Sequence, residues 1–334
     1  MKKATFALSL IFFFVVGFLL LCARGIIIMP KDYSSHKEIV FSVREGEGVR
    51  EIAAHLQGEG LIKSPVFFVL YAVVSTKAKM LQAGDYEVSA SMDVPQLVAK
   101  FASGDVIRKK FTIIEGWNTK DIAQSLDREG LFQQSDFQEA IVANWSSEFD
   151  FLKDKPATAS IEGYLFPDTY EFKYSEKVKD AVRKFLSNFA AKMSPSFRLE
   201  IANQHKSIFQ IVTMASLLEK EVKTPQDKQL VAGILWKRLK FGMPLQVDAT
   251  IAYVTGSNEP QSLARGKSID SPYNTYKYRG LPIGPIDNPG KESIAAAIFP
   301  QASDYWYYFS APDGTTIFSK TFQEHVAAVA KYLR

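Results

Sequence analysis

The chain has 334 residues, 47% of them hydrophobic and 23% charged, enough apolar material for two domains and enough charge to keep them in water. Its net charge of +4 comes without basic clusters interleaved with aromatic residues, which argues against nucleic acid as a partner. The four histidines form no ligand-spaced pair and Cys22 is the only cysteine, so an intramolecular disulfide is excluded and neither a metal nor another cofactor is expected.

Lys2 and Lys3 precede a run without charge from Ala4 to Ala23. Twenty helical residues span about 30 Å, the thickness of a bilayer core, so residues 1–30 read as a cytoplasmic N-terminus and a single transmembrane helix, with the remainder outside. A cleaved signal peptide is the competing reading; the run is long for one, and no small-x-small site follows it. Leu21 is bulky where a lipoprotein signal has a small residue, which argues against lipid on Cys22.

After a polar connector, residues Phe41 to Ala72 recur as Phe111 to Val142, with ten of thirty-two positions identical. Each copy reads as a short strand, a Glu-Gly turn, a helix with Ile, Ala and Leu on one face, a Glu-Gly stop and a second helix. Gly60 and Gly130 supply the left-handed conformation that ends the first helix. Ser64 is the expected N-cap of the second, with Pro65 at its first position and Ser135 in that place in the other copy. Gly84 to Val88 alternates like a strand, and Val94 to Ala102 reads as a helix stopped by Gly104. Gly46 and Gly48 begin a Gly-x-Gly fragment, but Glu51 stands at the third glycine position, so nucleotide binding is rejected.

From Ile161 the chain reads Ile-Glu-Gly-Tyr-Leu-Phe-Pro-Asp-Thr-Tyr, followed by an amphipathic helix over about 175–193. In the next helix Ile208, Ile211, Val212 and Ala215 recur three and four residues apart, the spacing of one apolar face. Glu219 falls on that face, whereas Lys220 and Glu221 rotate away from it. An inward carboxylate is costly to desolvate, so it is either satisfied by a partner or kept for chemistry. The plainer reading is a helix-end surface pair with Lys223.

Thr224, Pro225 and Asp227 open a further helix closed by Gly242, and Asp248 begins a short one ending at Gly256. Residues 271–290 are too rich in proline and glycine for regular structure and carry three tyrosines and two asparagines. They read equally as the wall of a site or as a loop covering the core. The end reads as strands at Trp306 to Ser310 and Thr316 to Phe318 and a helix from Thr321. Tyr305 to Tyr308 are assigned to a core strand rather than to a ligand box.

Four stretches together, Ala215 to Glu221, Leu245 to Thr250, Glu162 to Thr169, and Tyr273 to Tyr276 with Gly280 to Ile286, resemble the YceG-like family of endolytic murein transglycosylases. Ile283 departs from the family, which more often has a second proline there; no effect on chemistry is expected. The resemblance implies an α+β chain: a transmembrane helix, a small LysM-like α/β module at 38–107 and a larger mixed α+β catalytic domain at 108–334. It further implies a single-pass protein of the inner membrane, catalytic domain in the periplasm, acting on peptidoglycan glycan strands, with peptidoglycan synthases as candidate partners.

By the same resemblance Glu219 takes the catalytic position and Glu221 does not, while Gln246, Asp248, Asn274, Tyr276, Glu162 and Tyr164 are the expected substrate-binding residues. Protonated Glu219 would donate to the bridging oxygen of a MurNAc-β-1,4-GlcNAc bond. As a carboxylate it would then take the proton of the MurNAc C6 hydroxyl attacking C1, leaving a 1,6-anhydro end. Two alternatives stand beside this: a non-catalytic wall-binding scaffold, and a water-using muramidase that would need a second carboxylate, from Asp248 or Glu162.

Overall fold

The computed structural model describes residues 29–173 and 176–332; the uncharged run read as a membrane span lies outside them. Among the described residues no helix is long and apolar enough to cross a membrane. They form mixed α+β structure, with thirteen α-helices and three two-stranded sheets. The chain divides into two units, one comprising residues up to 110 together with 171–176, the other 111–170 and 177 onward.

In the first unit strand β1 (Glu38–Val43) pairs antiparallel with β2 (Gly84–Ser89), placing Phe41 opposite Tyr86. Phe41 and Val43 are buried while Val40 and Ser42 are exposed, the period of two expected of a half-buried strand. Helices α1 (Val49–Gly58), α2 (Pro65–Val74) and α3 (Val94–Ser103) complete the core with Ile52, Leu56, Phe68 and Phe101. Asp93 starts α3 by accepting from the Gln96 amide at 2.8 Å, and Gly104, at φ +68°, ends it.

The second repeat copy begins with β3 (Arg108–Thr112), which pairs with β4 (Thr169–Lys173), and continues with α4 (Thr119–Arg128) and α5 (Gln134–Ile141). Ile122, Ala123 and Leu126 are buried on α4 as Ile52, Ala53 and Leu56 are on α1. The copies differ in their second helix, which starts one residue earlier in α5 than in α2. Phe137 is therefore buried, while in the first copy Phe68 takes the inward place and Phe67 is half-buried.

The second unit continues with α6 (Val178–Lys192) and α7 (Pro195–Asn203), then α8 (Ile208–Glu221), α9 (Pro225–Lys240), α10 (Asp248–Thr255), α11 (Pro260–Gly266) and α12 (Lys291–Ile298). The antiparallel pair β5 (Tyr307–Ser310) and β6 (Thr316–Ser319) and helix α13 (Phe322–Tyr332) close it. Helix α8 is the centre, packed against α7, α9, α10 and α12. Every residue from Ile211 to Leu218 is buried, so α8 has no solvent face along this stretch. Its single inward stripe, as read from the spacing, is thereby corrected: the helix is covered all round.

Candidate active site

Helix α8 is anchored at its start by Ser207, whose hydroxyl accepts from the Gln210 amide at 3.1 Å while Gln210 accepts from the Ser207 amide at 3.0 Å. Its last turn carries Glu219, Lys220 and Glu221. Glu219 is almost enclosed. Lys228, in the first turns of α9, donates to one carboxylate oxygen at 3.1 Å, and the Gly290 amide and Ser293 hydroxyl donate to the other at 2.9 and 2.6 Å. The lysine and glutamate side chains are only 4% and 9% exposed. The second oxygen sits at the N-terminus of α12, where unpaired amides favour negative charge. Glu219 thus clamps α8, α9 and α12 together, and its ion partner is Lys228 rather than Lys223. A Cβ on Gly290 would lie 1.9 Å from a carboxylate oxygen of Glu115, so any larger residue there would have to turn that side chain aside.

Glu221 is placed differently. It is the last residue of α8 and faces two clefts, of about 980 and 520 Å³, both of which are also lined by Lys220 and Asp248. Glu219 lines neither of them. Tyr308 of β5 donates to the Glu221 carboxylate at 2.9 Å. Burial pushes the Glu221 carboxyl up to about 7; the Tyr308 hydrogen bond opposes that rise and the charge of Asp248 adds to it.

Asp248, the first residue of α10, accepts from the Tyr276 hydroxyl at 2.5 Å and lies 3.4 Å from the Lys267 ammonium, which itself sits 4.4 Å from the Tyr276 ring centre. Beneath them the buried Arg238 donates to the Trp306 carbonyl at 2.9 and 2.7 Å and to the Leu245 carbonyl at 2.8 Å. One guanidinium thereby fixes β5, which carries Tyr308, and the turn before α10, which carries Gln246 and Asp248. The arrangement offers a carboxyl able to give and take a proton near neutral pH, beside a second carboxylate and two hydroxyls.

The YceG-like family model matches residues 41–331. The chain belongs to the YceG-like family. A Bacillus subtilis (strain 168) protein named endolytic murein transglycosylase is 31% identical over 91% of this chain and 87% of its own length. A Streptococcus pneumoniae serotype 2 protein of the same name is 30% identical over 92% of this chain, which spans 60% of that relative. A crystal structure of a YceG-like protein from Listeria monocytogenes superimposes with a TM-score of 0.59 at 29% identity, covering 87% of this chain and 99% of that one.

The residues singled out from the sequence fall into two groups in this YceG-like chain. Gln246, Asp248 and Tyr276 line the smaller cleft with Glu221, and Glu162 lines the larger one. Gln246 is held at φ +55°, a conformation uncommon for a side chain of its kind. Glu162 accepts from the Thr119 amide and hydroxyl at 3.0 and 2.9 Å and from Asn288 at 3.0 Å, so it also ties α4 to residues 286–290; burial pushes it up to about 7.

Asn274 and Tyr164 are scaffold instead. Asn274 is buried, donates to the Ile269 and Lys267 carbonyls at 2.8 and 3.1 Å and accepts from the Tyr276 amide at 3.0 Å, so it shapes the loop that presents Tyr276. Tyr164 is fully buried between Phe151 and Phe189, with ring centres 5.7 and 5.0 Å away. Residues 271–290 contain no helix or strand; their irregular path both covers the core, through Asn274, Thr275, Asp287 and Asn288, and lines a cleft, through Tyr276.

Sequence reasoning does not place Glu221 and Tyr308 on a cleft wall, where the structure has them. Glu221 lines both clefts instead of facing solvent, and Tyr307 and Tyr308 stand in strand β5 and also line the smaller cleft. The unbroken run of small and apolar residues from Ile211 to Leu218 was the available signal. A helix buried on every side has no inward stripe from which to rank two glutamates.

Proposed function

We infer that the chain is an endolytic murein transglycosylase that cuts MurNAc-β-1,4-GlcNAc bonds within glycan strands and leaves 1,6-anhydro ends, and that a glutamate at the end of α8 is the acid and then the base: Glu219 stands at the position the resemblance assigns, and Glu221 is the one on the cleft walls. The cleft lining favours Glu221, the glutamate common to both clefts, whose carboxyl burial pushes up to about 7, and the steps are written for it. Glu219 already spends both oxygens on Lys228, Gly290 and Ser293.

Protonated Glu221 gives its proton to the glycosidic oxygen as the C1–O bond breaks. Positive charge then develops at C1 and the ring oxygen, and the Asp248 carboxylate favours it. The resulting Glu221 carboxylate removes the proton from the C6 hydroxyl, whose oxygen closes on C1 to form the anhydro ring. No water enters. Tyr308 orients the carboxylate, and Gln246 and Tyr276 line the wall along which the sugars lie.

The uncharged run at 4–23 behind Lys2 and Lys3 supports a single inner-membrane anchor with the remainder in the periplasm, and the resemblance supports a LysM-like module at 38–107 ahead of a catalytic domain at 108–334. The presence of Asp248 beside Glu221 favours hydrolysis as the second reading. Digestion of uncrosslinked glycan strands, read by mass spectrometry, tests both. Anhydro ends are expected from the wild type, and Glu221→Gln should lower their rate by about two to four orders of magnitude. Ends heavier by one water would make the enzyme a hydrolase, and a fully active Glu221→Gln would return the role to another carboxyl.

A further inference from the structure

Helix α2 of the first unit turns Phe68 and Ala72 into its core, yet its other side is aliphatic as well. Val66 is 70% exposed, Leu70 49%, Val73 56% and Val74 73%. These four positions fall within one side of a helix, opposite the core-facing pair. Met80, beyond the helix, is exposed too. In sequence, the helix and its flanks from 60 to 84 hold Lys63, Lys77 and Lys79 and no aspartate or glutamate, with Glu59 and Asp85 just outside. Lys63 precedes the helix and the other two follow it, so the aliphatic stripe is flanked by ammonium groups at both ends, with Lys63 and Lys79 exposed.

Exposed aliphatic side chains are ordinary when scattered, but a continuous stripe is not. An aliphatic stripe flanked by lysines matches a bilayer interface, in which apolar side chains enter the acyl boundary while ammonium groups stay among anionic headgroups. The tether points the same way. The unit is first tied to the chain at Asp32, whose amide donates to the Ala90 carbonyl at 3.0 Å. Eight residues, 24–31, separate that point from Ala23, the end of the uncharged run, and reach at most about 29 Å. A unit of this size is on the order of 30 Å across, so such an anchor keeps it within about its own diameter of the bilayer.

We propose that the α2 face of the first unit is a membrane-docking surface, with Val66, Leu70, Val73 and Val74 in the interface of an anionic bilayer and Lys63, Lys77 and Lys79 at its headgroups. The proposal rests on the membrane-anchored reading of residues 4–23. The full chain, reconstituted into phosphatidylethanolamine/phosphatidylglycerol vesicles containing spin-labelled lipid, tests it through an environment-sensitive fluorophore on a single cysteine. Three positions are compared: native Cys22, which reports the anchor; Val73→Cys in a Cys22→Ser chain; and Glu87→Cys in the same background, an exposed site on β2 of the same unit. Lipid quenching at position 73 is expected to exceed that at 87 by at least about twofold, and to fall when phosphatidylglycerol is omitted. Quenching at 73 no stronger than at 87, with Cys22 quenched, overturns the docking surface while leaving the anchor standing. An unquenched Cys22 overturns the anchor and the proposal with it.

Discussion

Two glutamates two residues apart meet different surroundings, Glu219 three hydrogen-bond donors and Glu221 the walls of two clefts. Glu219→Gln removes the carboxylate hydrogen-bonded to the nearly buried Lys228 and leaves it only Glu115 and Asp287 as nearby acidic groups, a change that costs at most about 3–5 kcal/mol. Its expected signature is a fall in melting temperature, and cleavage per folded molecule separates the two glutamates: it is kept if Glu221 is the acid and lost by about two to four orders of magnitude if Glu219 is; an unchanged melting temperature would show that the clamp contributes nothing. Asp287 presents the opposite case. It is fully buried and neither of its oxygens finds a hydrogen-bond partner among the described residues. Burial holds its carboxyl well above the ordinary value, so the folded chain keeps a proton that the unfolded chain releases above about pH 4. Stability from such a group is full below that pH and is lost as pH rises toward the folded-state value. Glu162 and Glu221, pushed up to about 7, act with the same sign between their unfolded value near 4.5 and about 7. Asp287→Asn should therefore raise the melting temperature at pH 8 and leave it nearly unchanged at pH 4. An equal gain at both would point to packing rather than charge.

The caps and stops of the helices were legible because each depends on one or two adjacent residues. Thr224 accepts from the Asp227 amide at 3.1 Å, Gly256 ends α10 at φ +69°, and the repeat predicted α1 and α4 at equivalent positions. The clamp around Glu219 was not legible, since its donors lie 9, 71 and 74 residues further on and belong to two other helices. Nor was the status of Asn274, whose loop-bracing bonds look in sequence like a polar side chain free for sugar. Gly290 marks where an element depends on such a distant neighbour. Gly290→Ala would push aside the carboxylate of Glu115, the far end of an exposed side chain, so its cost is expected to be small, about 1 kcal/mol or less. Calorimetry should find this loss, and Glu115→Ala in the same chain should restore most of it; no restoration would locate the strain elsewhere.

At the scale of the molecule, the two copies of one strand-helix-helix pattern are used differently: the first is completed by β2 and α3, and the second stands in the unit that holds the clefts. If the first is the glycan-holding LysM-like module, removing residues 39–104 from the anchored chain should weaken sedimentation with sacculi while leaving cleavage of soluble strands in place. Undiminished sedimentation would make that copy a spacer. The choice of 104 as the limit of such a deletion follows from β3 and β4, since the boundaries at 110 and 170 both fall within this strand pair. A chain cut to begin at 111 would keep residues 171–173 of β4 but lose residues 108–110 of β3. The amides and carbonyls left along that short edge would be open to a strand from another molecule. Aggregation of the shortened enzyme would then report a badly chosen cut rather than an unstable catalytic domain, and retaining residues 105–110 should cure it.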